Sequence, residues 1–364
     1  MLERRVHPQS DDAGNPVVLY VSPLLQRALG GIHSDIQTGP AAMPRHGFST
    51  RLGGVSAGPC ASMNLGNRSR PGSTISRWTQ AFRASDHAGR IKRYWQYYYV
   101  RGLASRYGNL MRTVLTWRVC DLLLRPFQTQ DGNPRAGIDP RRNLAINHHR
   151  ILEAAGLNPY LALCRVHQVH GATVLRLSRG VEHDPHAKAD AIVSDDPSRI
   201  VSVRVADCVP VLLSSVGGSI VAAVHAGWRG IVAGVVPGTV RYMTTDATHG
   251  IAPGELVAAI GPCIGMDAFE VGPEVVIEFR KVFGESVAAS FIRPGKLDRH
   301  HIDLRAAVRR QLLEAGLLET NIDSTDRCTH RDAEEFFSHR RENGLTGRMA
   351  AFIAAGGGDG PARK

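Results

Sequence analysis

A mixed α/β fold is what the 364-residue sequence predicts, as one main domain interrupted by a basic insertion. Three observations lead there. Short runs rich in Val, Ile and Ala alternate with stretches of helix length. Turn signals such as "DDPSR" and Gly217–Gly218 punctuate the apolar runs. A hydrophobic content of 43% over this length is enough to bury a sizeable core.

Taken in order, residues 46–66, "HGFSTRLGGVSAGPCASMNLG", read as a strand end entering a Gly-rich loop. From about 67 to 137 follows a stretch with no period of 2 or 3.6, holding five of the eight tyrosines and three of the four tryptophans. "DPRRNLAINHHRILEAAGL" (139–157) opens on Asp-Pro and reaches Gly156 near its end, which suits a helix. "LALCRVHQVHGATVLRL" (161–177) reads as a strand, then comes a polar loop rich in His and Asp. "DAIVSDDPSRIVSVRVADCVPVLL" supplies two more strands, "GSIVAAVHAGW" another, and Arg229–Tyr242 a helix. The later "ELVAAIGPCIG", "PEVVIEFRKVFG", "IDLRAAVRRQLLEAGL", "IDSTDRCT" and "GRMAAFIAA" read strand, helix, helix, strand, strand. The expected organisation is an N-terminal segment 1–43, a main domain 44–355 containing the insertion 67–137, and a flexible tail 356–364.

Composition narrows the function classes. Six cysteines (60, 120, 164, 208, 263, 328) are scattered with no C-x-x-C pair, so each reads as a free thiol or a ligand in a reducing cytoplasm. The N-terminal apolar run is broken by Pro23, and the most apolar window, 219–240, contains His225, Trp228 and Arg229. Neither a secretory signal nor a membrane span is expected. The net charge of +11 suggests an acidic partner, yet Arg68–Arg135 alone holds thirteen basic residues against Asp86, Asp121 and Asp131. That island reads as a solvated basic loop or an unfolded insertion. Nucleic-acid binding, by arginines interleaved with stacking aromatics, is the rival reading.

The chemistry gathers in "VRVADCVPVLLSSVGGSIVAAVHAGWRG" (203–230). If Gly217 and Gly218 are the two loop residues of a hairpin, His225 lies opposite Pro210, and Cys208 is diagonal to it on the same face. Two inward-leaning side chains at that spacing can close on one ion. A catalytic zinc site takes a third protein ligand, and "RVHQVHG" offers His167 and His170. On one strand their separation of three points them to opposite faces, so only one serves. His170, next to Gly171, has the freer approach; His167 reads as core or support. Beside this stands the structural reading, in which Cys208 is a small core residue and His225 a satisfied polar group.

"HGFSTRLGGVS", "QVHG", "ADCVPVLL", "VHAGWRG", "IGPCIG" and "FFSHRRENGLTGR", in this order, closely resemble the bacterial laccase-domain family. That family is also called multicopper polyphenol oxidase, purine nucleoside phosphorylase or peptidoglycan editing factor. The resemblance covers about residues 44–66 and 139–355, leaves the island without a counterpart, and departs at His339, where the family more often has tyrosine. It implies a single-domain layered α/β/β/α sandwich similar to the catalytic domain of cytotoxic necrotizing factor. It also implies zinc held by His170, Cys208 and His225.

The same resemblance implies phosphorolysis of adenosine, inosine and methylthioadenosine, with adenosine deamination as a second activity. Purine nucleosides and inorganic phosphate are then the partners. A His2Cys zinc with an open position brings a bound water to a pKa of about 7. Arginine forks suit phosphate, which makes Arg51 the first candidate, with Ser49 adding a hydroxyl and Arg229 and the Arg340–Arg341 pair behind it. Structural ion pairs are the alternative for each. Deamination needs a proton handler, and Asp207 can serve if the strand bends there. One His2Cys set does not build a multicopper oxidase, so copper-dependent phenol oxidation is expected only as a side activity. Two rivals use the same side chains: a Cys208–His225 thiol hydrolase and a peptidoglycan precursor editing amidase.

Overall fold

The computed structural model describes residues 1–10, 16–30, 46–54, 56, 65, 141–159, 161–245 and 250–356. The expected insertion at 67–137 and residues 357–364 of the expected tail lie outside them. Every described element belongs to the unit made of residues 1–67 and 136–364.

The strands are β1 (Glu3–Ser10), β2 (Pro16–Val21), β3 (His46–Ser49), β4 (Ala162–Cys164), β5 (Val174–Leu177), β6 (Ala191–Ser194), β7 (Arg199–Val205), β8 (Val209–Ser215), β9 (Val221–Ala226), β10 (Leu256–Ile260), β11 (Glu270–Val271), β12 (Ile292–Pro294), β13 (His300–Ile302), β14 (Ile322–Asp323) and β15 (Met349–Ala354). The helices are α1 (Pro23–Gly30), α2 (Arg141–Ala154), α3 (Trp228–Val232), α4 (Val235–Thr244), α5 (Pro273–Phe283), α6 (Glu285–Ala289) and α7 (Leu304–Glu314). One sheet runs β1-β2-β3-β15-β7-β4, a second β14-β10-β8-β9-β6-β5, and a small third β11-β13-β12. The outer strands β1 and β2 come from the N-terminal segment that the sequence set apart.

Alternation along the strands sorts the core into three clusters. Val201, Val203, Ala351 and Ile353 of the first sheet pack with Ile192, Leu212, Ala223 and Ala259 of the second. The other face of the second sheet, with Val193, Val211, Val224 and Ala258, packs on Val236 and Val240 of α4 and Ala307 and Val308 of α7. The other face of the first sheet, with Leu19, Ile200, Ala350 and Phe352, packs on Ile151 and Leu152 of α2. Helix α7 starts where the Asp303 carboxylate accepts the Ala306 N–H at 3.0 Å, an N-cap bond.

The hairpin register follows the Gly-Gly turn. β8 and β9 pair with Pro210 opposite His225, and Gly217 and Gly218 both have positive φ (90° and 72°), as a two-residue turn of this kind needs. Two expectations are corrected. Residues 161–177 are not one strand: β4 pairs with β7 in the first sheet, β5 pairs with β6 in the second, and a loop crosses between them. The reason is local, because the backbone amides of Val169, His170 and Gly171 turn toward one carboxylate instead of a neighbouring strand. The helix expected over 229–242 is two helices, broken at Gly234 (φ 80°).

Glu335 ties the first sheet to the long 324–348 segment. Its carboxylate accepts from Arg4 Nε (2.7 Å), Tyr20 Oη (2.6 Å) and Arg327 Nη2 (3.0 Å), and its carbonyl accepts the Arg51 N–H (2.8 Å). Burial pushes this carboxyl up, but the hydrogen bonds from Tyr20 and Arg4 and the nearby arginine charges outweigh it and hold it below its ordinary value. Its contribution to stability is therefore complete above the unfolded carboxylate range, about 4.3, and is lost as pH falls through the depressed folded value. Glu335→Gln should lower the unfolding free energy by about 2 kcal/mol at pH 7. Urea titrations should show that deficit constant above about pH 5 and narrowing below about pH 4.

Candidate metal centre

Each of three soft or nitrogen donors stands where a strand stops. His225 is the penultimate residue of β9, opposite Pro210. Cys208 ends the bend at 206–208 between β7 and β8, where Asp207 takes φ +91°. His170 lies in the loop between β4 and β5 at φ +61°. Positive φ is uncommon for residues other than glycine and is held only by surrounding contacts. The ligand atoms of the three side chains lie within 4.8 Å of one another, the one such group among the described residues. The two imidazole rings meet edge to face, 4.8 Å between centroids.

Asp190 supplies those contacts. It directly precedes β6, whose Ala191 pairs with Val224, so it falls beside His225. Its carboxylate accepts the N–H groups of Val169 (3.2 Å), His170 (2.9 Å) and Gly171 (2.7 Å), and the Nδ1–H of His225 (2.8 Å). With Nδ1 donating, the Nε2 lone pair of His225 is left to bind. A carboxylate behind a ligating imidazole sets its tautomer and raises its basicity. Burial pushes the Asp190 carboxyl up, but the bonds from His225 and Gly171 outweigh it and keep it ionised.

The donors also set each other's charge. Burial pushes the Cys208 thiol up, yet the His225 charge and hydrogen bonds from His170 and His225 bring it down to about 6. Burial pulls His225 down, yet the Cys208 thiolate and Asp190 bring it up to about 9. A thiolate and two imidazoles are a zinc-type donor set. Gly227 makes room for it: a Cβ there would sit 2.9 Å from His170 Cδ2 and 3.1 Å from Cys208 Sγ.

The remaining sequence candidates fall around this centre. Asp207 sits in the bend that its expected role required, with Oδ1 accepting from Thr329 Oγ1 (2.6 Å) and Oδ2 from the Arg340 N–H (2.7 Å). Arg51 lies over the Phe337 ring at 4.7 Å, donates to the Ala333 carbonyl (3.2 Å) and reaches Glu342 at 3.8 Å. Ser49 is buried in β3, where its Oγ accepts the Ala350 N–H at 2.9 Å. Arg229 is exposed and lies against its neighbour Trp228. The Arg340 side chain donates to the Ala268 and Glu270 carbonyls, while Arg341 donates to those of Thr329, His330 and Phe336. His167 is absent from the cluster and forms an isolated bridge with Lys188. His339 is exposed.

Sequence reasoning missed Asp190. A signal existed, since a ligating histidine needs an acceptor for its second nitrogen and "KADAIV" puts a carboxylate at the head of an apolar strand. Thr329, which donates to Asp207, carried no signal at all.

The family model described as multi-copper polyphenol oxidoreductase laccase matches residues 113–356. The chain belongs to that laccase family. Among laccase-family relatives, "Purine nucleoside phosphorylase YfiH" of Shigella flexneri is 38% identical over 238 residues, 65% of this chain and 90% of that protein. "Purine nucleoside phosphorylase YlmD" of Geobacillus stearothermophilus is 33% identical over 235 residues, 63% and 84% of the two chains. The crystal structure of YlmD from Geobacillus stearothermophilus superposes with a TM-score of 0.61 at 25% identity, covering 89% of this chain and 99% of that one. The Bacillus licheniformis YfiH structure has the same fold, with a TM-score of 0.61 at 22% identity over 85% and 92% of the chains.

Asp190→Asn should weaken metal affinity by about 10- to 100-fold, because the amide disturbs both the His225 tautomer and the loop that carries His170. Gly227→Ala should also weaken it, by pushing His170 and Cys208 apart. Chelator competition followed by elemental analysis would check both, with circular dichroism as the control for folding.

Proposed function

We propose that this chain is a zinc-dependent purine nucleoside phosphorylase acting on adenosine, inosine and methylthioadenosine, with adenosine deamination as a second activity. The observation that carries this reading is the His170–Cys208–His225 cluster braced by Asp190. Two imidazoles and one thiolate fit zinc with a position left for water or substrate. When bound, zinc supplies an electrophilic centre that can activate water or orient an oxyanion.

The residues around it take the following parts. Asp190 keeps the proton on His225 Nδ1 and holds the His170 loop. Asp207, one residue from Cys208, is the proposed proton handler for deamination. Arg51 is the proposed phosphate contact, since a guanidinium fork matches an oxyanion in two-point fashion. Ser49, Arg229 and Arg340 are further proposed substrate contacts. The three core clusters support a layered α/β/β/α arrangement within one catalytic domain over 44–355, similar to the cytotoxic necrotizing factor domain. Cys164, Cys208, Cys263 and Cys328 are free thiols, which supports a reducing, cytoplasmic setting. Among the described residues no helix is long and apolar enough to cross a membrane.

The same donors would also take copper, so phenol oxidation stays a side activity in this reading. The second reading is a Cys208–His225 thiol hydrolase, favoured by the proximity of those side chains, whose ligand atoms lie within 4.8 Å of each other. A peptidoglycan precursor editing amidase would use the same centre.

Purified protein should contain about one zinc per chain, and Cys208→Ala should lose it together with nucleoside turnover. Adenine should form from adenosine only when phosphate is present, and inosine with or without it. Metal-free protein that stays active under chelation and is stopped by alkylation would overturn the zinc reading in favour of the thiol hydrolase. Zinc with no nucleoside turnover would overturn the phosphorylase reading and leave the amidase.

A further inference from the structure

The first sheet carries a group of charges that the metal centre does not use. Arg204 of β7 pairs with Ala350 of β15, so Arg348, which immediately precedes β15 and lies two residues before Ala350, continues the same row. On the other side, β4 runs parallel to β7 with Leu163 beside Ile200, and Arg165 continues the row of Leu163. Ile200, Ala350 and Leu163 pack in the cluster that includes Ile151 and Leu152 of α2. Alternation therefore sends Arg165, Arg204 and Arg348 to the face of the sheet beneath α2.

Helix α2 carries His148 three and four residues before Ile151 and Leu152, hence on the side that packs on this face. Its Nδ1–H donates to the Leu144 carbonyl at 2.6 Å, and its buried Nε2 has no partner. Arg204 Nε is likewise buried without a partner. Among the described residues neither Arg165 nor Arg204 forms an ion pair, and neither guanidinium donates a hydrogen bond. Arg348 donates to the Thr346 and Gly347 carbonyls.

The local field agrees with this arrangement. Burial pulls Arg204 down to about 10, and the charges of Arg165 and Arg348 act in the same direction. Burial also pulls His148 down to about 4, with Arg165 and Arg204 adding to it. Among the described residues no carboxylate counts among the causes at either group. Half-buried like charges lose hydration and repel one another, a cost that a bound counter-ion removes. Guanidinium forks match tetrahedral oxyanions in two-point fashion.

We propose that Arg165 and Arg204, with Arg348 at the rim, form a binding site for a phosphate-class oxyanion under α2, where His148 Nε2 accepts a hydrogen bond from a protonated oxygen of the anion. The site is separate from the metal centre. Cys208 packs on the cluster shared by the two sheets, whereas the arginines occupy the opposite face of the first sheet. One link joins them: the Gln168 side chain donates to the Arg204 carbonyl (2.8 Å) and accepts its N–H (2.9 Å), two residues before His170. An anion held by Arg204 thus braces the base of the ligand loop. The inference does not depend on the phosphorylase reading.

The test is equilibrium dialysis of radiolabelled inorganic phosphate against the full chain carrying Cys208→Ala, at constant ionic strength. That background removes a metal ligand, so binding at the metal centre and binding under α2 are told apart. The expected result is saturable phosphate binding that Arg165→Met and Arg204→Met, each added to Cys208→Ala, weaken at least about tenfold. Phosphate should raise the thermal midpoint of the Cys208→Ala protein and leave that of the Arg204→Met double variant unchanged. Displacement of the label by adenosine 5′-monophosphate but not by adenosine would assign the phosphoryl group of a larger ligand. Resistance to both would assign the free ion. Should Arg204→Met fail to fold, Arg165→Met decides alone. Absence of phosphate binding, or binding that survives both substitutions, overturns the proposal; the first result would mean that a carboxylate of the chain itself neutralises the arginines.

Discussion

The buried carboxylate of Asp190 accepts four hydrogen bonds, and the candidate centre is built outward from them. Three come from consecutive backbone amides of the loop between β4 and β5, and one from the His225 imidazole. A buried carboxylate has to be satisfied, and here the groups that satisfy it are the ligand loop and a ligand. The loop can hold His170 at a positive φ because its amides have no other acceptor as good. Loss of that carboxylate would leave a strained backbone, an imidazole free to choose the wrong tautomer and a thiol without its charge partner.

Sheet geometry explains why the centre forms where it does. The cluster shared by the two sheets is apolar, with its strand residues alternating, so polar donors enter where strands end. β7 ends at Val205, β8 begins at Val209, and β9 ends at Ala226, which leaves Cys208 and His225 at the margin of the core. The bend at 206–208 is secured from the far end of the chain. Thr329 and Arg340 both donate to Asp207, and Arg341 and Glu335 hold the segment that carries them. Residues more than a hundred positions away in sequence thus decide the direction of the Cys208 side chain.

The laccase name and the donor set describe different chemistry. Among the described residues one three-donor group is present, and its two nitrogens and one sulfur suit a single ion of zinc type. Charge elsewhere follows a different logic. The metal centre balances each ion with a partner, while Arg165 and Arg204 beneath α2 form no ion pair among the described residues. That contrast, more than any motif, separates the two places on the molecule where an oxyanion could be held.

The sequence by itself determined the mixed α/β character, the β8–β9 hairpin and its register, and the motifs from "QVHG" to "FFSHRRENGLTGR", which lie within the family match. These are legible because alternation, Gly-Gly turns and short fixed spacings act between near neighbours in the chain. The centre was readable as far as Cys208 and His225, whose diagonal positions follow from one hairpin, while His170 was preferred to His167 for its freer approach beside Gly171 and by the resemblance. Asp190, the crossing of residues 161–177 between sheets and the charge cluster of Arg165, Arg204 and Arg348 were decided only by the tertiary structure. Their partners are brought together by sheet order and helix packing, which depend on how strands far apart in sequence share one core, and no local pattern encodes that.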